Sequence, residues 1–440
     1  MYLVTDFSVF RIGIDGFNLS LGKGTGVATY ARTLAHAVVG MGHSVDLIYG
    51  LDIPSRSSQE LREIRFFDRL GQSDSLPRAA LFSKRWIRDR KADFQAPPIL
   101  QVEITDRVDL RPFGDRIPPF ERLFNSENLF QRAARHFRRT GRLTTVHMDS
   151  PPAIMHWTYP LPVRLEGAAN VYTLHDLVPF RLPYTTLDDK PYYHRLISAV
   201  CAQADALCTV SEASRKDILS FFPATNDKLH NTYQSFRIAP FILNRTKQHC
   251  ASEIAADFGL APDSYFMFFG SLEPKKNIGR LIEGFLASGC DRQLVIVGAM
   301  AWKSEQELRY LERGIATGRI INVDYLPERT LFSLLRLARA VLFPSLCEGF
   351  GLPVLEAMNF GVPVLISREG ALPEVGGDAA LQTDAYDVDA IAAAIVRLDR
   401  DDLLCHQLGE ASKHQAARFD MSTYRARLKT LYSAALLGKA

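Results

Sequence analysis

The chain has 440 residues, 47% of them hydrophobic and 23% charged, with a net charge of +3. That length accommodates two domains with separate cores, and the composition is that of an ordinary soluble protein rather than a disordered or fibrous one. The small net charge gives no argument for nucleic acid as a partner, and no apolar run approaches the ~20 residues that span a bilayer. Six scattered cysteines without a CxxC pair read as reduced core residues. The start, MYLVTDFSVFRIGID, lacks the basic end and long apolar stretch of a signal peptide, so the expected location is the cytoplasm.

Residues 10–15 and Ser44–Tyr49 read as strands, and Val27, Tyr30, Ala31, Leu34, Val38 and Met41 recur between them at helical spacing. This is the opening unit of a doubly wound α/β domain. The loop before the helix carries Gly22, Gly24 and Gly26 in alternation. Such a loop can bring its backbone close to a phosphate, and it can equally be a plain connection.

Residues 51–150 hold 19 Lys and Arg against 14 Asp and Glu. Candidate helices at 59–70 and 79–91 are followed by a strand at 99–104 and a helix at 121–142. On the last, Leu123, Glu127, Phe130, Ala134 and Phe137 share one side, while Arg132, Arg135, Arg138, Arg139 and Arg142 crowd the rest. The plain reading is a core-packed helix with a solvated basic face; the sharper one is peripheral attachment to an anionic membrane leaflet. His156, His175 and Asp176 fall at the ends of two further strands, where residues of a parallel sheet face the binding crevice. A lone histidine there is more often a structural hydrogen-bonding group than a catalyst. Helices at 191–202 and 213–222 flank a strand at 206–210, and Ser211 is a candidate cap for the second helix.

From residue 262 the pattern becomes regular. An apolar strand, Tyr265–Phe269, runs into Gly270-Ser271-Leu-Glu273-Pro274-Lys275-Lys276-Asn277 and then a helix with Ile278, Leu281, Ile282 and Phe285 facing inward. Two lysines at a helix start oppose its dipole, and their heads together with the backbone donors there suit a diphosphate. Strands at 294–297, 320–323 and 341–343 alternate with helices at 302–317 and 328–339. The stretch 340–361, AVLFPSLCEGFGLPVLEAMNFG, is a strand, a glycine loop and a helix in succession, with Gly351 at the turn, Pro353 in the first helical turn and Gly361 at the close. It offers backbone N–H groups to an anionic or hydroxyl-rich ligand, with Glu348 and Glu356 eight residues apart. A strand at 362–366 and the turn around Glu374 follow, and a terminal helix is expected near 421–437.

PSLCEGFGLPVLEAMNFGVPVLIS resembles the signature of the retaining family 4 glycosyltransferases, the glycosyl transferases of group 1, and is similar in pattern to their bacterial mannosyltransferase-like members. The resemblance implies a GT-B fold: two Rossmann-like doubly wound α/β domains facing a central cleft, an acceptor-side domain over 1–245, a nucleotide-sugar domain over 246–420, and a helix at 421–440 crossing back. It implies that Thr25 and Gly26 lie beside the donor diphosphate and that His175, in TLHDLVPF, contacts the transferred sugar. His156 and Asp176 become acceptor-side candidates. FGSLEPKKN resembles the family's phosphate-gripping turn; Lys276 carries over directly, whereas Ser271 and Lys275 stand where relatives have arginines. Glu348 and the backbone of Gly349, Phe350, Gly351 and Leu352 would grip sugar hydroxyls, and Glu356 the ribose diol.

On this reading His175, Lys276 and Glu348 are the catalytic residues, no metal or cofactor is needed, and the donor is a nucleotide sugar. GDP-mannose is the first choice over UDP-linked sugars or activated rhamnose, with a glycan or lipid-linked saccharide as acceptor in polysaccharide assembly. A nucleotide-sugar epimerase on the same fold, a non-catalytic sugar-nucleotide binder and a glycosidase are the rivals, although a glycosidase needs its two carboxylates about 5–10 Å apart across one bond. His230-Asn-Thr-Tyr-Gln-Ser-Phe replaces the PNG-like turn of many relatives, which leaves the hinge open.

Overall fold

The computed structural model describes residues 9–21, 26–72, 97–114, 116–299 and 309–438. Short β-rich apolar segments separated by helices must pair in parallel, because each helix carries the chain back to the same edge of the sheet. Two such sheets result.

The first contains β1 (Arg11–Asp15), β2 (Ser44–Tyr49), β3 (Leu100–Gln101), β4 (Arg122–Asn125), β6 (Ile154–Trp157), β8 (Ala169–Thr173), β9 (Ala206–Thr209) and β10 (Leu229–Asn231), in the order β10-β9-β8-β6-β1-β2-β4-β3. Only the short β3 runs antiparallel. A separate two-stranded ribbon joins β5 (Thr144–Val146) to β7 (Val163–Leu165). The second sheet, wholly parallel, contains β11 (Tyr265–Phe269), β12 (Gln293–Val297), β13 (Ile320–Val323), β14 (Ala340–Phe343), β15 (Val364–Ser367) and β16 (Leu381–Thr383), in the order β13-β12-β11-β14-β15-β16. Central strands such as β6, β11 and β14 are buried at every position, as helices on both faces require.

The order of connection reverses between β1 and β6 in the first sheet and between β11 and β14 in the second. Ligands of open parallel sheets bind outside the carboxyl ends of the strands at such reversals. The loops after Asp15, Trp157, Phe269 and Phe343 are therefore the places to look for a site. The last helix, Met421–Gly438, packs on the helix Gly26–Gly40 and on β6, β8 and β9 of the first sheet, burying Tyr424, Leu428, Leu431, Tyr432 and Ala435. No helix among the described residues is long and apolar enough to cross a membrane.

Three expectations change. Residues 121–142 are not one helix: Arg122–Asn125 is β4, paired with β2, and the helix is Leu129–Thr140, entered at Asn128 with φ +52°. Leu123, Phe130 and Phe137 recur every seven residues, which fits a helical stripe by coincidence, and pairing with β2 decides the outcome for the first of them. The strand at 99–104 shrinks to the two residues of β3. Beyond Thr383, the helices Val388–Arg400 and Asp402–Ala417 complete the second domain where the sequence reading named none. The candidate helix at 79–91 lies outside the described residues, as does the first part of 302–317, of which Leu311–Ala316 is helical.

Candidate active site

The turn after β11 is built by backbone constraints. Gly270 has φ +134°, and a Cβ on Gly298 would lie 1.9 Å from the Gly270 carbonyl oxygen, so the loops after β11 and β12 touch backbone to backbone. Asn277, at φ +61°, ends a 3-10 turn Pro274–Lys276. Its amide donates to the carbonyls of Pro344 (3.0 Å) and Ala385 (2.6 Å), and Leu346 N–H donates to Lys275 O at 2.8 Å. The lysine turn is thereby stitched to the loop after β14. Across the seam Lys276 Nζ donates to Glu348 Oε1 at 2.6 Å, with the Phe343 ring 4.9 Å from the ammonium. Both residues are buried, at 9% and 7% exposure, so the pair is a charge-assisted bond in a low-dielectric setting. Gly370, with φ +58°, presses on Glu348 from the loop after β15: a Cβ there would come within 2.9 Å of the Glu348 backbone.

The N–H groups of Gly349, Phe350, Gly351 and Leu352 make no backbone hydrogen bond among the described residues. They form a cluster of free donors at the start of the helix Leu352–Asn359. Phe350 contributes only its backbone there, since its ring is buried against Phe419, 5.4 Å between centroids. Glu356 lies farther along the same helix and makes no hydrogen bond or ion pair among the described residues. Burial, and then the charge of Glu328, push its carboxyl up to about 8. Ser271 is exposed and donates to Glu273 Oε1 at 2.6 Å rather than reaching the lysine pair.

The first domain meets this loop directly. A Cβ on Gly349 would lie 2.5 Å from His175 O, and Lys275 Nζ stands 4.0 Å from Asp176 Oδ2. Burial opposes the Lys275 charge, but Asp176 and then Glu348 outweigh it and hold the ammonium above its ordinary range. His175 Nε2 lies 2.9 Å from the carbonyl of Thr158, which can only accept, so the imidazole proton sits on Nε2. Burial lowers the His175 pKa, which keeps the ring neutral with a lone pair on Nδ1. The edge-on ring of Tyr30, 4.9 Å away, braces it.

The structure thus brings together Lys275, Lys276, Glu348, Gly349, Phe350, Gly351, Leu352, His175 and Asp176, and leaves Glu356 unpaired farther along the helix. Gly26 begins the helix Gly26–Gly40 and is exposed, whereas Thr25 lies outside the described residues. His156 is a correction. It is fully buried, with Nδ1 2.9 Å from Tyr432 Oη and Nε2 2.8 Å from Thr173 Oγ1, and burial pushes its pKa down to about 3. It faces the terminal helix rather than an acceptor.

Sequence reasoning missed Asp15, at the reversal in the first sheet. Its fully buried carboxylate accepts from the N–H groups of Thr158 and Phe17, tying the loops after β1 and β6 together, and burial lifts it to about 6. An aspartate ending an apolar strand was the available signal. Ser214 was also passed over, and Asn277 and Glu374 were noted only within their turns rather than as residues that build the site.

Two doubly wound domains whose carboxyl-end loops meet at a lysine, a glutamate and a histidine define the GT-B class. Solved structures agree on the fold. The sucrose-phosphate synthase of Thermosynechococcus elongatus superposes with a TM-score of 0.62 at 17% identity, covering 96% of this chain and 98% of that one. The Anabaena protein HepE, solved in complex with UDP and glucose, superposes with a TM-score of 0.64 at 15% identity, covering 96% and 99%.

The family model "Glycosyltransferase Family 4" matches residues 24–233 and "Glycosyl transferases group 1" matches residues 253–415. The chain belongs to the group 1 glycosyltransferases. It is 35% identical over 247 residues to the O-antigen chain mannosyltransferase B of Escherichia coli, covering 55% of this chain and 64% of that protein. Over 281 residues it is 26% identical to the serotype-specific mannosyltransferase WbdA of Escherichia coli, covering 62% of this chain and 34% of that protein. The chain therefore spans less than two thirds of the length of these relatives.

Proposed function

We propose that this protein transfers a hexosyl unit, in first place mannose from GDP-mannose, to a glycan or lipid-linked saccharide during polysaccharide assembly, with retention of anomeric configuration and without a divalent metal. The observation that carries the reading is the buried Lys276–Glu348 pair beside the unpaired N–H groups of Gly349 to Leu352, with the His175 loop of the other domain against them. The names of the relatives support mannose and O-antigen-type glycans.

As the bond between the anomeric carbon and the diphosphate breaks, negative charge grows on the leaving oxygen. Lys276, Lys275 and the free amides at the helix start supply fixed positive potential for it, held in place before the reaction begins. Glu348 accepts from sugar hydroxyls and keeps Lys276 oriented. The half-buried Glu356 carboxyl accepts from the ribose diol, which gives it the hydrogen-bond donors it otherwise lacks. In a front-side displacement the departing phosphate takes the proton of the acceptor hydroxyl. The neutral His175 then serves to orient the sugar rather than to act as a base.

The helix Leu129–Thr140 is the element proposed for peripheral attachment to an anionic leaflet. Arg132 lies 3.4 Å from Glu127 and Arg138 sits over the Tyr192 ring, which occupies part of the basic face. Sedimentation with anionic vesicles tests it.

The donor is tested by thermal stabilisation with GDP-mannose, UDP-glucose, UDP-galactose and dTDP-rhamnose, since a ligand at 100 times its dissociation constant adds ~2.7 kcal/mol. Stabilisation by GDP-mannose together with mannosyl transfer in the presence of a chelator is the expected result. A UDP-sugar in its place changes the donor, and no response to any nucleotide sugar overturns the reading.

A further inference from the structure

We infer that the first turn of the helix Glu212–Phe221 is the spacer that sets the width of the reaction centre, with Ser214 and Glu374 as positioning residues that touch neither substrate. The inference rests on the proposed transfer reaction.

In the hydrogen-bond accounting of that turn, the other domain supplies the acceptor for two of the N–H groups. A helix start leaves its first N–H groups without intrahelical partners. Here Ser211 Oγ accepts from Ser214 N–H at 3.0 Å, as an ordinary cap. The N–H groups of Glu212 and Ala213 instead donate to the carboxylate of Glu374, at 2.9 to 3.2 Å, across the domain boundary. A carboxylate on the positive end of a helix dipole is held by charge as well as by hydrogen bonds. Glu374 is itself braced from behind, because Gln415 Nε2 donates to the carbonyls of Glu374 (3.3 Å) and Val375 (3.0 Å).

One residue into the same turn, Ser214 is only 3% exposed. Its hydroxyl stands 2.9 Å from His175 O and 3.2 Å from Gly349 O. Those carbonyls belong to the two loops assigned to the transferred sugar, and a hydroxyl has a single proton to share between them. Glu374 therefore fixes the helix start to the donor domain, and Ser214 fixes the two loops to the helix start. The spacing is already at its steric limit, with the site of a Gly349 Cβ 2.5 Å from His175 O. The turn works as a strut under both loops, and loss of either tie lets them slide without removing any group that contacts the donor.

The test compares Ser214→Ala, Ser214→Thr, Glu374→Gln and Glu374→Ala with the parent. Turnover of GDP-mannose is measured as transfer or as donor hydrolysis, and GDP affinity by thermal shift. The expected result is a fall in kcat of about tenfold or more in Ser214→Ala and both Glu374 variants, a GDP dissociation constant within about twofold of the parent, and recovery in Ser214→Thr, whose hydroxyl is retained. Amide hydrogen exchange is read in parallel without any ligand. Glu374→Ala is expected to speed exchange at Glu212 and Ala213, and Ser214→Ala to speed it in the segments 174–178 and 347–352. Unchanged kcat in variants that merely melt earlier overturns the inference, as does unchanged exchange at those positions. Because exchange needs no donor, it decides the inference even where GDP-mannose proves to be the wrong sugar nucleotide.

Discussion

Lys276 and Glu348 are each buried with the other as the hydrogen-bonded partner, so removing either leaves a buried charge without that partner. Lys276→Ala and Glu348→Ala should each cost about 3 kcal/mol of stability, the scale for a broken buried pair. Each should also lower turnover by about 10²-fold, the scale for a lost transition-state contact. The double variant Lys276→Met with Glu348→Leu separates the two effects: urea titration should recover most of the stability while turnover stays low. Equal turnover in parent and single variants would remove the catalytic roles.

Glu356 has a different signature. Burial raises its pKa from 4.5 to about 8, so between those values the folded chain holds a proton that the unfolded chain has released. Its contribution to stability is full below about 4.5 and declines as pH rises towards and through 8. Glu356→Gln should flatten that part of the stability profile and be the more stable protein above pH 8, while binding a nucleotide more weakly. Denaturant titrations at several pH values decide this. Lys276 and Glu348 were legible because each sits in the turn between a strand and a helix, and Glu356 because it follows Glu348 in the next helix. His156 looked equivalent by that rule, yet the partner that buries it, Tyr432, is 276 positions away in the chain.

At the scale of elements, alternating strands and helices made the second domain readable, since each unit buries its strand on both faces and announces itself as an apolar run. The region before residue 130 was harder. β4 has four residues, begins with an arginine, and gains its identity from pairing with β2 and from Arg122 Nε donating to the fully buried Asp46 at 2.8 Å. Neither pairing nor a distant counter-ion leaves a local periodic mark. The glycine loop after β14 was read as a turn that frees backbone donors, and its packing adds a sharper consequence. Any side chain at position 349 meets the His175 carbonyl, which is backbone and cannot swing aside. Gly349→Ala should therefore force the two loops apart and lower kcat by about tenfold or more while the core stays intact, because a displacement of an ångström at reacting groups is that costly. Kinetics beside a near-UV dichroism spectrum checks it, and full activity would mean that the loops need not meet.

For the whole molecule, the two sheets are bound by more than the loops at their carboxyl ends. The chain finishes the second domain with Asp402–Ala417 and then lays Met421–Gly438 across the first, where Leu428 and Leu431 are fully buried and Tyr432 bonds His156 on β6. A change in the last 20 residues should consequently weaken the part of the molecule built from the first half of the chain. Leu428→Ala removes a buried leucine and should cost about 2–5 kcal/mol. If the helix belongs energetically to the sheet it covers, hydrogen exchange in that variant rises in β6, β8 and β9. Protection in β11, β12 and β14, which belong to the other sheet, stays at the parent level. A rise confined to β11, β12 and β14 would show the helix to be part of the second domain's folding unit. A uniform rise would show the two sheets to unfold as one, with the terminal helix as the element that couples them.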